Sequence, residues 1–250
     1  MGTNGQIIGV LGGMGPAATA DFYLKLIKAT RAGSDQDHLK VLIFSNPHIP
    51  DRTAAIRGEG PDPLPALIET AHALVRGGSD FLTMPCVTAH AFFEKLQAAT
   101  PVPILHLIRE TAAFLQRGQQ SLQCLGVLAT SGTLQARLFE TVFEPLGVRI
   151  IVPDPALQTR CVMPAVYGVK QGESLEGPRQ LIREAAGHLI AQGAEAVVAG
   201  CTEVPLILTD GDCPAPVIDP TWVLAQAAIE RALVTPVRLR SSQRCYKDRG

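Results

Sequence analysis

Met84-Pro85-Cys86-Val87-Thr88-Ala89-His90 follows the apolar run Phe81-Leu82, and Gly200-Cys201-Thr202-Glu203-Val204 follows Ala196-Val197-Val198-Ala199. Each stretch reads as a short buried strand that ends in a cysteine and turns into a helix. The match extends backwards, because Leu74 through Gly78 aligns with Leu189 through Gly193 at the same offset of 115 residues. Further out, Gly9-Val10-Leu11-Gly12-Gly13 aligns with Gly126-Val127-Leu128-Ala129-Thr130 at an offset of 117. Two nearly equal offsets indicate a duplicated half.

The rest of the chain follows the same grammar. Ile7 to Leu11, Val41 to Ser45, Phe81 to Met84, Cys124 to Leu128 and Ala196 to Ala199 read as buried strands. Ala17 to Ala29, Pro65 to Arg76, Ala89 to Ala99, Ile108 to Gln116, Leu134 to Phe143 and Leu181 to Ala191 read as helices. This alternation specifies an α/β fold with parallel sheets. Near the end, Pro214 to Pro216 breaks the chain, and Val217-Ile218-Asp219-Pro220 reads as a short strand before a helix through Ala232. That last unit has no evident counterpart in the first half and is expected to cross back to it. The expected division is therefore 1–103 plus 214–235 as an N-terminal lobe, 104–213 as a C-terminal lobe, and 236–250 as a polar, basic, mobile tail.

Composition narrows the function. With 46% apolar and 18% charged residues over 250 positions, disordered, collagenous and disulfide-scaffold classes are excluded. Five basic residues and one acidic residue fall after Pro236, so the tail carries +4 and the remainder −5. The body thus offers no basic footprint for nucleic acid. Six cysteines form no C-x-x-C pair and no zinc-spaced cluster, so no metal is expected. No apolar run reaches eighteen residues, and the first six residues lack both the basic start of a signal peptide and a myristoylation signal. The expected setting is the cytoplasm, away from membranes, with free thiols.

Strand C-termini are where open α/β sheets bind ligands. A thiol placed there, before a helix N-terminus, has its thiolate form favoured. If a pseudo-twofold relates the halves, Cys86 and Cys201 face each other across one cleft. Two thiols on opposite faces of a carbon can remove and return its proton, one as thiolate base and the other as thiol acid, which suits a racemase. Cys124, Cys161, Cys213 and Cys245 read as packing residues.

At this point the sequence resembles the aspartate/glutamate racemase family of PLP-independent enzymes, most closely its aspartate-specific branch. The resemblance rests on Ile8 through Pro16, Ser45 through Thr53, Met84 through His90, Leu128 through Thr133 and Gly200 through Val204, in order over about residues 6 to 234. It implies two pseudo-symmetric Rossmann-like lobes with parallel sheets and an active-site cleft between them. It also implies no cofactor, a small amino-acid substrate and a homodimer.

Within that frame Cys86 and Cys201 are the expected catalytic pair, with Asp51 and Glu203 orienting them or relaying protons. A bland helix-capping role competes for Glu203. Arg52, after the loop signal Pro50-Asp51, suits a side-chain carboxylate through its guanidinium fork. The resemblance pairs it there with Lys170. Met14, in the turn Gly12-Gly13-Met14, offers backbone N–H groups to an anion. Thr88, Thr130, Thr133 and Thr202 offer hydroxyls for the α-carboxylate and amino group, or serve only as N-caps. His90 and His106 read as structural. Val87 departs from the family, where Asn usually follows the first cysteine, and leaves the substrate open between aspartate, glutamate and another acid. Competing readings are a related isomerase or decarboxylase on another carboxylic acid, and a catalytically silent amino-acid binder. Two retained cysteines argue against a single-thiol decarboxylase and against the silent binder.

Overall fold

The apolar runs find only parallel neighbours, as strands joined by helices must. A computed structural model describes residues 5–118 and 122–233 and contains two four-stranded parallel sheets. The first has the order β2-β1-β3-β4, from β1 (Ile8–Gly12), β2 (Val41–Ser45), β3 (Phe81–Thr83) and β4 (Ile104–Leu105). The second has the matching order β6-β5-β7-β8, from β5 (Cys124–Leu128), β6 (Arg149–Ile151), β7 (Ala196–Ala199) and β8 (Val217–Ile218). The helices are α1 (Pro16–Ala29), α2 (Arg52–Ile56), α3 (Leu64–Arg76), α4 (Phe93–Ala98), α5 (Leu107–Arg117), α6 (Ser131–Gln135), α7 (Leu138–Phe143), α8 (Pro155–Leu157), α9 (Met163–Gln171), α10 (Glu176–Ala191) and α11 (Pro220–Leu233).

The duplication holds at the level of single hydrogen bonds. Gly78 and Gly193 both stop a helix with positive φ, +97° and +95°, a conformation that favours glycine. Ser79 N–H and Ala194 N–H each return to a carbonyl five residues back, Leu74 and Leu189, at 3.1 Å. Register agrees, since Ile8 pairs with Phe81 as Leu125 pairs with Ala196.

The edge strands correct the expected boundaries. Ile104 pairs with Leu82 in the first sheet, and Val217 pairs with Val197 in the second, so divisions at 103/104 and 213/214 cut just ahead of strands that belong to the preceding sheet. β8 does have a counterpart, β4, and both follow a Pro-x-Pro, at Pro101 to Pro103 and Pro214 to Pro216. What crosses back is the helix: α11 packs on α1 and α5. Lys25 locks it there, its Nζ lying 2.5 Å from Asp21, 2.6 Å from Asp219 and 2.7 Å from Thr221 Oγ1. The carboxylates stay 24% and 22% exposed, so removing one costs more than breaking a surface pair and less than the ~3–5 kcal/mol of a fully buried one. The basic tail after Pro236 lies outside the described residues.

Three apolar clusters hold this frame. One lies within each half, and the third is shared, bringing Ile8, Val10 and Phe81 together with Leu125, Val127 and Phe139. The halves therefore share a core. Two expected helices are broken. Leu134 to Phe143 divides at Arg137, whose φ of +50° ends α6 before α7 begins. Ala89 to Ala99 opens as a 3₁₀ turn, Thr88–Phe92, because the His90 ring occupies the Cys86 carbonyl that an α-helical N–H would use. His90 N–H goes to Val87 O instead, at 2.9 Å.

Candidate active site

The C-terminal ends of β3 and β7 bring Cys86 and Cys201 to one narrow, tightly closed cleft, lined also by Met14, Asp51, Arg52, Thr53, Val87, Thr88, Lys170, Thr202 and Glu203. Larger hollows between α1 and β2 and beside β5 contain no cysteine. Ten of the twelve residues singled out from sequence thus meet in one place. Both sulfurs are nearly sealed, with Cys86 4% and Cys201 5% exposed.

The two thiols have different neighbours. Cys201 Sγ donates to Glu203 Oε2 at 2.9 Å, and Thr202 Oγ1 donates to the same oxygen at 3.3 Å. Burial, then the Glu203 charge, push the Cys201 thiol well above its usual range, while Lys170 pulls the other way. Glu203 is fully enclosed, and a Cβ on Gly15 would lie 3.4 Å from its Oε1, so its carboxylate reaches from Cys201 to the glycine turn of the first half. Cys86 instead has its carbonyl held by His90 Nδ1–H at 2.9 Å. His90 Nε2 accepts from Leu107 N–H at 3.1 Å, which fixes the neutral tautomer. Burial lowers the His90 pKa to about 4. His90 thus bridges the Cys86 and Leu107 backbones, and His106 caps α5.

Arg52 is 8% exposed, and its Nη1 donates to Ile49 O at 3.1 Å and Pro50 O at 2.9 Å. Its Nε is buried with no partner among the described residues. One edge of the guanidinium is thus anchored to its own loop, and the buried Nε leaves the other edge available to an anion. Lys170 reaches the cleft from α9, with Nζ 5.4 Å from the centre of the Tyr167 ring. The side chain as a whole is exposed, but its ammonium is crowded. Burial alone would lower its pKa, yet Cys201, Glu203 and Cys86 outweigh that and raise it. Lys170 therefore stays cationic. Asp51 caps α2, accepting from Ala54 N–H at 2.8 Å.

Thr130 and Thr133 do not line the cleft. Thr88, Thr130 and Thr133 close a ring of hydroxyls at 2.9, 2.9 and 3.1 Å, which uses these donors on one another across the two halves. Thr130 also caps α6. The Gly12-Gly13-Met14 turn is likewise less open to an anion than expected, because Gly13 N–H is spent on Thr19 Oγ1 at 2.8 Å. Sequence reasoning missed Thr53, although it ends the quoted Ser45 through Thr53 stretch. It also missed Gln158, which belongs to a π-helical turn, Gln158–Val162, ahead of α9. Gln158 Nε2 donates to Ala129 O at 2.9 Å and so ties the segment carrying Lys170 to the end of β5. An isolated glutamine carries no sequence signal for that role.

This cleft, at the facing strand ends of duplicated parallel sheets, gathers two thiols, two cations and two carboxylates. The chain belongs to the Asp/Glu/Hydantoin racemase family, whose sequence pattern matches residues 11–228. It is an amino-acid racemase and so an isomerase. The broad specificity amino-acid racemase RacX of Bacillus subtilis (strain 168) is 29% identical over 91% of this chain and 98% of that relative. The aspartate racemase structure from Picrophilus torridus is 30% identical, with a TM-score of 0.82 over 91% of this chain and 94% of that one. A glutamate racemase from Francisella tularensis, solved with D-glutamate, shares the fold at 16% identity and a TM-score of 0.66, covering 94% of this chain and 85% of that one.

Proposed function

We propose that the protein interconverts L- and D-aspartate by two-thiol proton transfer at Cα, with glutamate the next acidic substrate. The observation that carries this reading is that equivalent strand ends of two sheets deliver Cys86 and Cys201 to one cleft with two cations, Arg52 and Lys170. The free Nε edge of Arg52 and the Lys170 ammonium suit the side-chain carboxylate. In this reading the Thr88 and Thr202 hydroxyl oxygens, whose protons are already committed, accept from the substrate's amino group. Val87 supplies an apolar wall beside Cys86.

In one direction the Cys86 thiolate takes the α-proton and becomes a thiol, leaving a carbanion at Cα. The Cys201 thiol gives its proton to the opposite face and becomes a thiolate. The reverse reaction exchanges the roles. Glu203 keeps Cys201 protonated until the carbanion forms, and Lys170 offsets the negative charge that gathers in the cleft. The five cysteines among the described residues are unbridged, which suits a reducing cytoplasm. A second copy fits the edge strand β2, where Ile43 and Phe44 are 37% and 40% exposed on a run with no charge. Sedimentation of Ile43→Lys should then show a monomer where the native protein is a dimer.

The reading is tested by incubating the protein with L-aspartate in deuterated water. Deuterium should enter the α-position as D-aspartate accumulates. An α-proton left untouched, with aspartate, glutamate and a panel of neutral amino acids alike, would make the protein a silent binder.

A further inference from the structure

Gly132 lies in α6 with ordinary helical backbone, where alanine would be favoured by about 1 kcal/mol. Nothing in its backbone asks for glycine. The reason lies in the packing of α6 on α2: a Cβ at Gly132 would stand 2.8 Å from Thr53 Cα, 2.8 Å from Thr53 Oγ1 and 3.1 Å from Thr53 Cβ. Thr53 belongs to α2, in the first half, and follows Arg52 directly. Because one of the blocking atoms is backbone, a side chain at position 132 cannot be absorbed by a rotamer change. It has to move α2 away from α6.

Arg52 travels with that movement. Its Nη1 is bound to Ile49 O and Pro50 O, carbonyls of its own loop, so the guanidinium shifts with the segment as a unit. The neighbouring tie between the halves, the ring of Thr88, Thr130 and Thr133, holds the other flank of α6 against the turn that follows Cys86. α6 is thus wedged between the segment bearing Arg52 and the segment bearing Cys86, and only the α2 side depends on a missing side chain.

We propose that Gly132 is a positioning residue that sets the length of the cleft. By letting α2 seat directly on α6, it places the Arg52 guanidinium at the reach of a four-carbon dicarboxylate and short of a five-carbon one. This rests on the reading of Arg52 as the side-chain carboxylate site, and it names what the site measures. A cleft lengthened at Gly132 accommodates one more methylene, a difference that binding sites turn into roughly tenfold or more.

The test uses Gly132→Ala, with Gly187→Ala as a control, since a Cβ at Gly187 meets nothing within 4 Å. Binding of succinate and of glutarate is measured by calorimetry, alongside kcat and KM for aspartate and glutamate. Gly132→Ala should weaken succinate relative to glutarate by about tenfold. The ratio of kcat/KM for glutamate to that for aspartate should rise to match, mainly through KM. Thr53→Gly added to Gly132→Ala removes two of the three blocking atoms but leaves the Thr53 Cα at 2.8 Å, so it should return both ratios only part of the way toward native. It also keeps the experiment readable if the single variant fails to fold. An unchanged succinate-to-glutarate ratio, or native protein that binds neither dicarboxylate, overturns the proposal. Dicarboxylate selectivity that shifts in a protein without turnover would uphold it while removing the racemase reading.

Discussion

The Cys86 arm and the Cys201 arm begin as copies, each leaving the second strand from one edge of its sheet 115 residues apart, and they end with different chemistry. On the Cys201 arm the thiol itself is engaged, donating to Glu203, and the pair is shielded from water. On the Cys86 arm the backbone is engaged, clamped by His90, and the residue after the cysteine is an apolar valine. Duplication supplied two equivalent places for sulfur. Divergence of the next few residues gave them different surroundings, which in the proposed mechanism makes Cys201 the tuned acid and Cys86 the rigidly held base in one direction, with the roles exchanged in the other.

The broadest way to test this division is to remove the group both arms work around. If Arg52 anchors the substrate carboxylate between them, Arg52→Ala should raise KM for aspartate by the cost of an unpaired buried carboxylate, about 2–5 kcal/mol. Alanine as substrate should be nearly unaffected. Steady-state kinetics on both amino acids check this, and equal losses on the two would remove Arg52 from side-chain recognition.

A second test isolates the Cys86 arm. His90 has its pKa lowered to about 4 from an ordinary 6.5, chiefly by burial, so the unfolded chain binds the proton more readily between those values. Its contribution to stability is complete above about pH 6.5 and fades as pH falls toward 4, by about 3 kcal/mol in all. His106, lowered to about 3, and Arg109 face the same site, so the native protein is to be compared with His90→Gln. Urea midpoints should fall less steeply with acid in the variant. Parallel curves would show that His90 is no acid-labile clamp.

The smallest expected effect is on the Cys201 arm. Glu203 contributes to the raised pKa of Cys201 after burial, so Glu203→Gln should move the alkaline-going rise of kcat/KM to lower pH. The shift should be equal from L- and D-aspartate, because an equilibrium constant of one ties the two values together. A rise left in place would separate Glu203 from the titration of the thiol.

The same contrast explains what the sequence made legible. Gly78 and Gly193, the apolar runs before them and the paired cysteines are local signals that repeat, so the sheets and the two sulfurs could be read directly. β4 and β8 are two residues long and carry no periodicity, which hid their equivalence behind prolines that looked only like chain breakers. The segment from Pro155 to Gln171 was obscured by Pro155, Pro164 and a π-helical turn, since a chain that changes pitch loses its 3.6-residue pattern. Thr130 and Thr133 were legible as hydroxyls beside the site. Their partners were not, because the direction of a donor depends on the opposite half of the molecule. For the same reason Thr53 and Gly132, each unremarkable alone, gain their meaning only from the contact between them.

The central claim is that two thiols act on opposite faces of one carbon, and single-thiol variants in deuterated water test it most directly. Cys86→Ala and Cys201→Ala should each lose interconversion of aspartate enantiomers by roughly 10²–10⁴-fold or more. Any residual entry of deuterium at Cα should come from one enantiomer only, and from opposite enantiomers in the two variants. Near-native racemisation by either variant, or exchange retained from the same enantiomer in both, would contradict the account.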